Sequence, residues 1–244
     1  LVIALRARGN PFPTIQSAGL AGAFGGVSLV FAFSGGILAI KSTTVANAMF
    51  LFAAAPFFAA VLGRLVLKEH VRKATWISMM AALVGIVIMV WEGVSLGRVI
   101  GNVAALVSAL GFAVFTISLR WQKLEDMLPA VFLAGLFAII VAGFICQIKG
   151  YGFNIPVWDI GIAIAMGIFQ VGTGLILYTI GSKAVPSAEL ALLSMTEVVF
   201  GPFWVWLFLG ETAGGYTLLG GIILLIAIAG NALSGLRRKP IPLI

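Results

Sequence analysis

The charged side chains of this chain are spaced about one membrane thickness apart. Uncharged stretches of 32, 22, 18, 21, 22, 23 and 25 residues separate Arg8 from Lys41, Lys41 from Arg64, Lys73 from Glu92, Arg98 from Arg120, Asp126 from Lys149, Asp159 from Lys183 and Glu211 from Arg237. A bilayer core about 30 Å thick takes about 20 helical residues, so each stretch holds one crossing. The segment Ser187–Leu209 is also long enough, and it carries Glu197 within it. Composition removes the soluble alternative: the chain is 61% apolar and 9% charged, against about 25% charged in an ordinary globular domain, too few charges to cover a surface facing water. Alternating β-barrel patterning is absent. The chain reads as an all-α integral membrane protein with about eight full transmembrane helices, at roughly 16–39, 43–66, 73–91, 98–120, 128–148, 157–181, 187–209 and 215–235.

Consecutive crossings alternate sides, which sorts the connections into two sets. One set holds twelve basic residues, among them Arg6, Arg8, Arg64, Lys68, Arg72, Lys73 and the tail Arg237-Arg238-Lys239; the other holds only Lys41, Arg98 and Lys149. The positive-inside rule then puts the C-terminus in the cytoplasm. A missed crossing would have scrambled this split. The net charge of +7 does not point to nucleic acid, because the basic residues cap apolar runs and form no patch with interleaved aromatics. One cysteine, Cys146, excludes an intrachain disulfide, and one histidine, His70, excludes a paired-histidine metal motif. There is no GxxxxGK[ST] phosphate loop, and no cofactor is expected.

Lys41–Glu69 aligns without gaps onto Lys183–Glu211 at an offset of 142, with seven of 29 positions identical: Lys41/Lys183, Ala46/Ala188, Leu51/Leu193, Phe58/Phe200, Leu65/Leu207, Leu67/Leu209 and Glu69/Glu211. The matched charges at both ends carry the most weight, since charges are rare here. The two segments are the second and seventh helices, five crossings apart, so equivalent helices cross in opposite directions. The loop after Glu69 is basic and its counterpart after Glu211 has no base, as inversion requires. Inverted repeats are a mark of secondary transporters, with the site near mid-membrane at the repeat interface. Two five-helix repeats need ten helices. The stub Leu1–Leu5 looks like the tail of a span, so the expectation is an N-terminally truncated chain: 1–91 the remainder of a first repeat, 98–235 the second, and 236–244 a cytoplasmic tail.

The pattern resembles the EamA-type branch of the drug/metabolite transporter superfamily. The likeness lies in Ala55-Pro56-Phe57-Phe58 through Leu67-Lys68-Glu69 and Leu83-Val84-Gly85, and again in Leu193 through Val199, Leu207-Phe208-Leu209-Gly210-Glu211 and Leu219-Gly220-Gly221. The resemblance covers nearly the whole chain. It implies a ten-helix fold of two inverted five-helix repeats, export of small metabolites, and a bacterial inner membrane. A proline often follows the intramembrane glutamate in that family; here Val198 follows Glu197, and Pro202 comes later.

Glu197 is the one acidic residue deep within a crossing, where a charge costs about 2.5–3.5 kcal/mol on insertion scales. It either faces a central cavity, binding a cationic group or exchanging a proton, or ties its helix to a neighbour. Thr196 and Ser194 either partner it or hydrogen-bond their own helix backbone. Phe200 and Trp204 follow Glu197 at i+3 and i+7 on one face, which would suit an aromatic or amine-bearing solute, or simple packing with Trp204 and Trp206 in an interfacial belt. Asn47 should face protein or cavity, as interhelical tie or ligand group alike. Gln170, Thr173 and Tyr178 form a loose polar face, and Gln170 maps onto Ser28 by the same offset. Asn102 and Ser108 are weaker candidates. Glu69 and Glu211 end their helices near the surface and read as structural, holding the following loop.

These features favour a secondary transporter of amino acids or other small metabolites working by alternating access through a central cavity. A channel-like facilitator is the nearest rival. A membrane-embedded enzyme would need several convergent polar groups and has one intramembrane acid; a structural subunit fits the inverted repeat poorly. The expected partners are a small solute and the lipid bilayer, with no metal.

Overall fold

The computed structural model describes residues 19–68, 70–121, 128–150, 155–174, 177 and 187–236. All regular structure among them is helical: α1 (Gly19–Ser42), α2 (Val45–Phe52), α3 (Ala55–Val66), α4 (Lys73–Ser95), α5 (Val99–Trp121), α6 (Leu128–Lys149), α7 (Val157–Ala165), a π-helical turn (Met166–Gly172), α8 (Ser187–Leu209) and α9 (Gly215–Leu236). Among the described residues, six helical spans are long and apolar enough to cross a bilayer: Gly19–Ser42, Val45–Val66, Lys73–Val94, Val99–Ser118, Ala130–Ile148 and Gly215–Ser234. Two apolar stretches are shorter where described, Val157–Gly172 and Glu197–Leu209. Large side chains such as Ile77, Trp91 and Ile139 point outward, as a surface against lipid requires.

Two departures from the sequence reading have local causes. The expected helix over 43–66 is broken at Ala53–Ala54 into α2 and α3. Pro56 sits in the first turn of α3; it lacks an N–H, and its ring would strike the carbonyl of Phe52 in a continuous helix. The turn is closed instead by short-range bonds, Ala53 N–H to the Phe50 carbonyl (3.2 Å) and Ala54 N–H to the Leu51 carbonyl (3.1 Å). The expected regular helix from 157 widens into the π turn at Met166–Gly172. There the Thr173 hydroxyl donates to the Ile168 carbonyl five residues back at 3.0 Å, occupying an acceptor in the wide turn.

The chain forms two compact units. One contains α1 up to Val30 and the described residues between 118 and 186; the other contains Phe31–Ile117 with α8 and α9. In the first, α1 lies against α6 through small residues. A Cβ added to Gly26 would meet the Ala134 nitrogen and the Leu133 side chain at 3.1 Å, and Ala21, Ala130 and Ala134 are buried.

The second unit has a core rich in alanine, with Phe50, Leu51, Phe57, Met89, Leu224 and Ile228 as its larger members. Small residues let helix backbones approach closely where lipid gives no hydrophobic drive for association. Its main pairing is α4 with α9. Glu92 near the end of α4 meets Thr217 near the start of α9, Gly85 faces Gly220, and Thr75 near the start of α4 meets Asn231 near the end of α9. The two helices are therefore antiparallel. They are also related by the 142-residue offset, since Lys73 maps onto Gly215 and Thr75 onto Thr217. The same holds for α2 and α8: Val45 meets Glu211 and Met49 meets Gly201, so helices that match in sequence run in opposite directions.

Candidate functional site

In α8, Pro202 lies within the helix, and the stripe formed by Val198, Gly201, Pro202 and Val205 is half-buried. Gly201 lies against α2, where a Cβ would come within 2.6 Å of the methyl at the flexible end of Met49. Another face presents Glu197, exposed, followed by Phe200 and Trp204 at 47% and 49% exposure. The rings form a ladder. Phe200 stacks on Trp204 with centroids 6.4 Å apart, and Trp204 on Phe208 at 5.6 Å and 17°. Phe203 packs edge-on against Trp204 at 5.5 Å. Phe208 extends the face by one more turn; the sequence reading stopped at Trp204, although i+11 was there to be counted. A carboxylate at the head of such a ladder can hold a cationic group while the rings stack against an apolar or aromatic one.

A second polar group of residues gathers where α2, α4, α5 and α9 meet the loops. Thr44 caps α2, its hydroxyl accepting from the Asn47 N–H at 3.3 Å, and the Glu211 carboxylate accepts from the Val45 N–H at 2.7 Å. A helix start has four unpaired N–H groups and a positive dipole end, so a carboxylate there satisfies both. Glu92 does the same for α9: its Oε2 accepts from the Thr217 N–H (2.6 Å) and hydroxyl (2.5 Å). The sequence reading used Glu92 only as a span boundary and missed this role. The available signal was the pair Thr75/Thr217 at the repeat offset.

Between these caps lies an amide pair. Asn47, at 3% exposure, and Asn102, at 1%, are joined by a bond from Asn47 Nδ2 to Asn102 Oδ1. Asn47 Nδ2 also donates to the Thr43 hydroxyl at 3.0 Å. The remaining Asn47 Oδ1 and Asn102 Nδ2 are buried with no partner among the described residues. A neutral hydrogen bond nets about 0.5–1.5 kcal/mol, whereas an orphaned buried polar group costs about 1–3 kcal/mol, so this pair does not stabilise the unit by itself. At the opposite end of α4 and α9, Thr75 donates to Asn231 Oδ1 at 2.8 Å, and the Arg72 guanidinium reaches the Ser234 hydroxyl (3.5 Å) and the Asn231 carbonyl (3.4 Å).

The other expected site residues are dispersed. Ser28 is buried and donates to its own helix at the Gly25 carbonyl, 2.9 Å away. Gln170 is exposed within the π turn. Ser108 donates to the Ala32 carbonyl at 2.6 Å, tying α5 to α1. Thr196 lies on α8, its side chain outside the described residues, as do Tyr178 and Glu69 entirely. Among the described residues no cluster of three His, Cys, Asp or Glu side chains could hold a metal ion.

The model of the EamA-like transporter family matches residues 1–91 and 99–233. The chain belongs to this family. It is thus a membrane transporter by family. It is similar to a pseudopaline exporter from two strains of Pseudomonas aeruginosa, 24% identical over 232 residues, covering 92% of this chain and 76% of the relative. One solved crystal structure superposes with a TM-score of 0.57 at 22% identity, covering 97% of this chain and 83% of that one, a likeness of fold.

Proposed function

We propose that this protein exports a small polar metabolite, of the amino-acid class, by alternating access between two inverted repeats. The supporting observation is the exposed face of α8, with Glu197 leading the ladder Phe200, Trp204 and Phe208. A carboxylate turned toward hydrocarbon is penalised by about 2.5–3.5 kcal/mol, so in a bilayer this face belongs against water or protein. A central cavity supplies both. There Glu197 pairs with the ammonium of an amino-acid-like solute, and Phe200 and Trp204 stack against its side chain. Gln170, Thr173, Tyr178, Asn47, Ser28 and Thr196 are further candidates for solute contact on the sequence pattern alone. The repeats are residues 1–91 and 98–235.

The similarity to a pseudopaline exporter favours the outward direction, and the twelve-to-three division of basic residues favours a cytoplasmic C-terminus in a bacterial inner membrane. With no phosphate loop in the sequence, a solute or ion gradient drives the cycle. The test is flux from proteoliposomes loaded with a ¹⁴C-labelled amino-acid mixture. Saturable counterflow is expected from an alternating-access carrier, and linear, non-saturable flux would replace it with a channel. Glu197→Gln should abolish flux while leaving thermal stability unchanged; unaltered flux and unaltered pH dependence would remove Glu197 from the mechanism.

A further inference from the structure

We propose that the Asn47–Asn102 pair is a polar subsite that opens toward the Leu96 loop and hydrogen-bonds the passing solute. Two amides in one buried place leave half their hydrogen-bonding capacity unspent, the Asn47 carbonyl and the Asn102 amide. This does not depend on how the amide atoms are assigned. Exchanging oxygen and nitrogen on both residues leaves again one orphan donor and one orphan acceptor. An apolar pair of similar shape would fill the space at lower cost, so the amides are suited to a partner that arrives rather than to the closed arrangement.

The surroundings hold the pair shut by fit. Any side chain at Gly93 of α4 would collide with the Asn102 amide, and a Cβ on Gly101 would come within 2.7 Å of Ser42 and Thr43. The start of α5 is thus wedged between α4 and the loop that enters α2. Asn102 lies in the first turn of α5 and Asn47 in the first turn of α2, so a small separation of those two helix starts frees both amides together. What they then offer is a donor beside an acceptor. The complementary solute carries an acceptor beside a donor, as a carboxamide or the ammonium and carboxylate of an α-amino acid do. The solute is the one whose passage is proposed above; the opening of the pair stands without it.

The experiment uses single-cysteine variants in a Cys146→Ser background, since Cys146 is the one native cysteine. Leu96→Cys, Asn102→Cys and Ala105→Cys are reconstituted and treated with a membrane-impermeant maleimide. Asn102→Cys is expected to react from the same side as Leu96→Cys and about tenfold or more faster than Ala105→Cys, as transient opening allows. Ala105 is fully buried on the same helix, and equal rates at 102 and 105 overturn the proposal. In parallel, Asn47→Leu/Asn102→Leu is expected to keep or raise Tm while amino-acid flux falls about tenfold, the worth of a lost hydrogen bond. Unchanged flux, or a fall in flux matched by a fall in Tm, overturns the solute contact. If the wild type moves none of the amino acids, the transport reading fails, and labelling at 102 still decides whether the pair opens.

Discussion

Replacing Gly85 by alanine should push α4 and α9 apart, and the structure sets the size of the effect. The added Cβ would lie 2.5 Å from the Gly220 carbonyl oxygen and 3.3 Å from the Leu224 nitrogen, both backbone atoms. Ordinary contact begins at 3.4 Å, so relief needs a separation of about 0.9 Å along a seam held at both ends by Glu92–Thr217 and Thr75–Asn231. Overpacking of this kind costs about 1–3 kcal/mol. Alanine also gains about 1 kcal/mol over glycine in a helix interior, and that gain must be separated out. Gly135 of α6 provides the control, because a Cβ there meets nothing within 4 Å. The difference between Gly85→Ala and Gly135→Ala isolates the clash. At about 2–4 °C per kcal/mol for a chain of this length, Gly85→Ala should melt about 2–12 °C below Gly135→Ala in detergent, read by intrinsic tryptophan fluorescence. Equal melting temperatures would refute the close antiparallel contact of α4 and α9.

Three other changes test the site. Glu92→Gln loses the charge on its bonds to the Thr217 N–H and hydroxyl and should cost about 1.5–3 kcal/mol, seen as a lower Tm; an unchanged Tm would mean the start of α9 needs no carboxylate. Glu211→Ala removes the acceptor for the Val45 N–H and should cost about 0.5–2 kcal/mol, typical of a lost helix cap, while Glu211→Asp should fall between the two if reach matters. Trp204→Ala interrupts the ring ladder on an exposed face, so it should weaken solute affinity in flux assays with little change in Tm; flux kinetics identical to wild type would return Trp204 to a lipid-facing role.

The helical framework was legible because charges are scarce and cluster at helix ends. Lys73 and Glu92 bracket α4, and Arg98 and Arg120 bracket α5. The 142-residue offset was legible for a related reason: Lys41/Lys183 and Glu69/Glu211 stand out against an apolar alphabet that matches itself by chance. Other features depend on geometry that spacing does not carry. Pro56 breaks its helix and Pro202 does not, although both lie in membrane spans. The sequence shows Asn47 as a polar residue needing a partner, but that the partner is Asn102, 55 positions away, follows only from how α2, α4 and α5 converge. Glu92 was visible as a charge, and its use as a cap for a helix 125 residues on was not.

The wide turn at Met166–Gly172 alters how its helix is to be read. Each α-helical residue advances about 100° around the axis, and a π turn accommodates an extra residue per turn. Side chains beyond it are therefore rotated relative to a wheel drawn from Val157 onward. Asp159 and Thr173, which a regular wheel would set about 40° apart, are brought to different bearings. Deleting one residue within the turn would restore regular α-helical winding and leave Thr173 on the bearing it now has, whereas the same deletion in the α-helical stretch before it would swing Thr173 by about 100°.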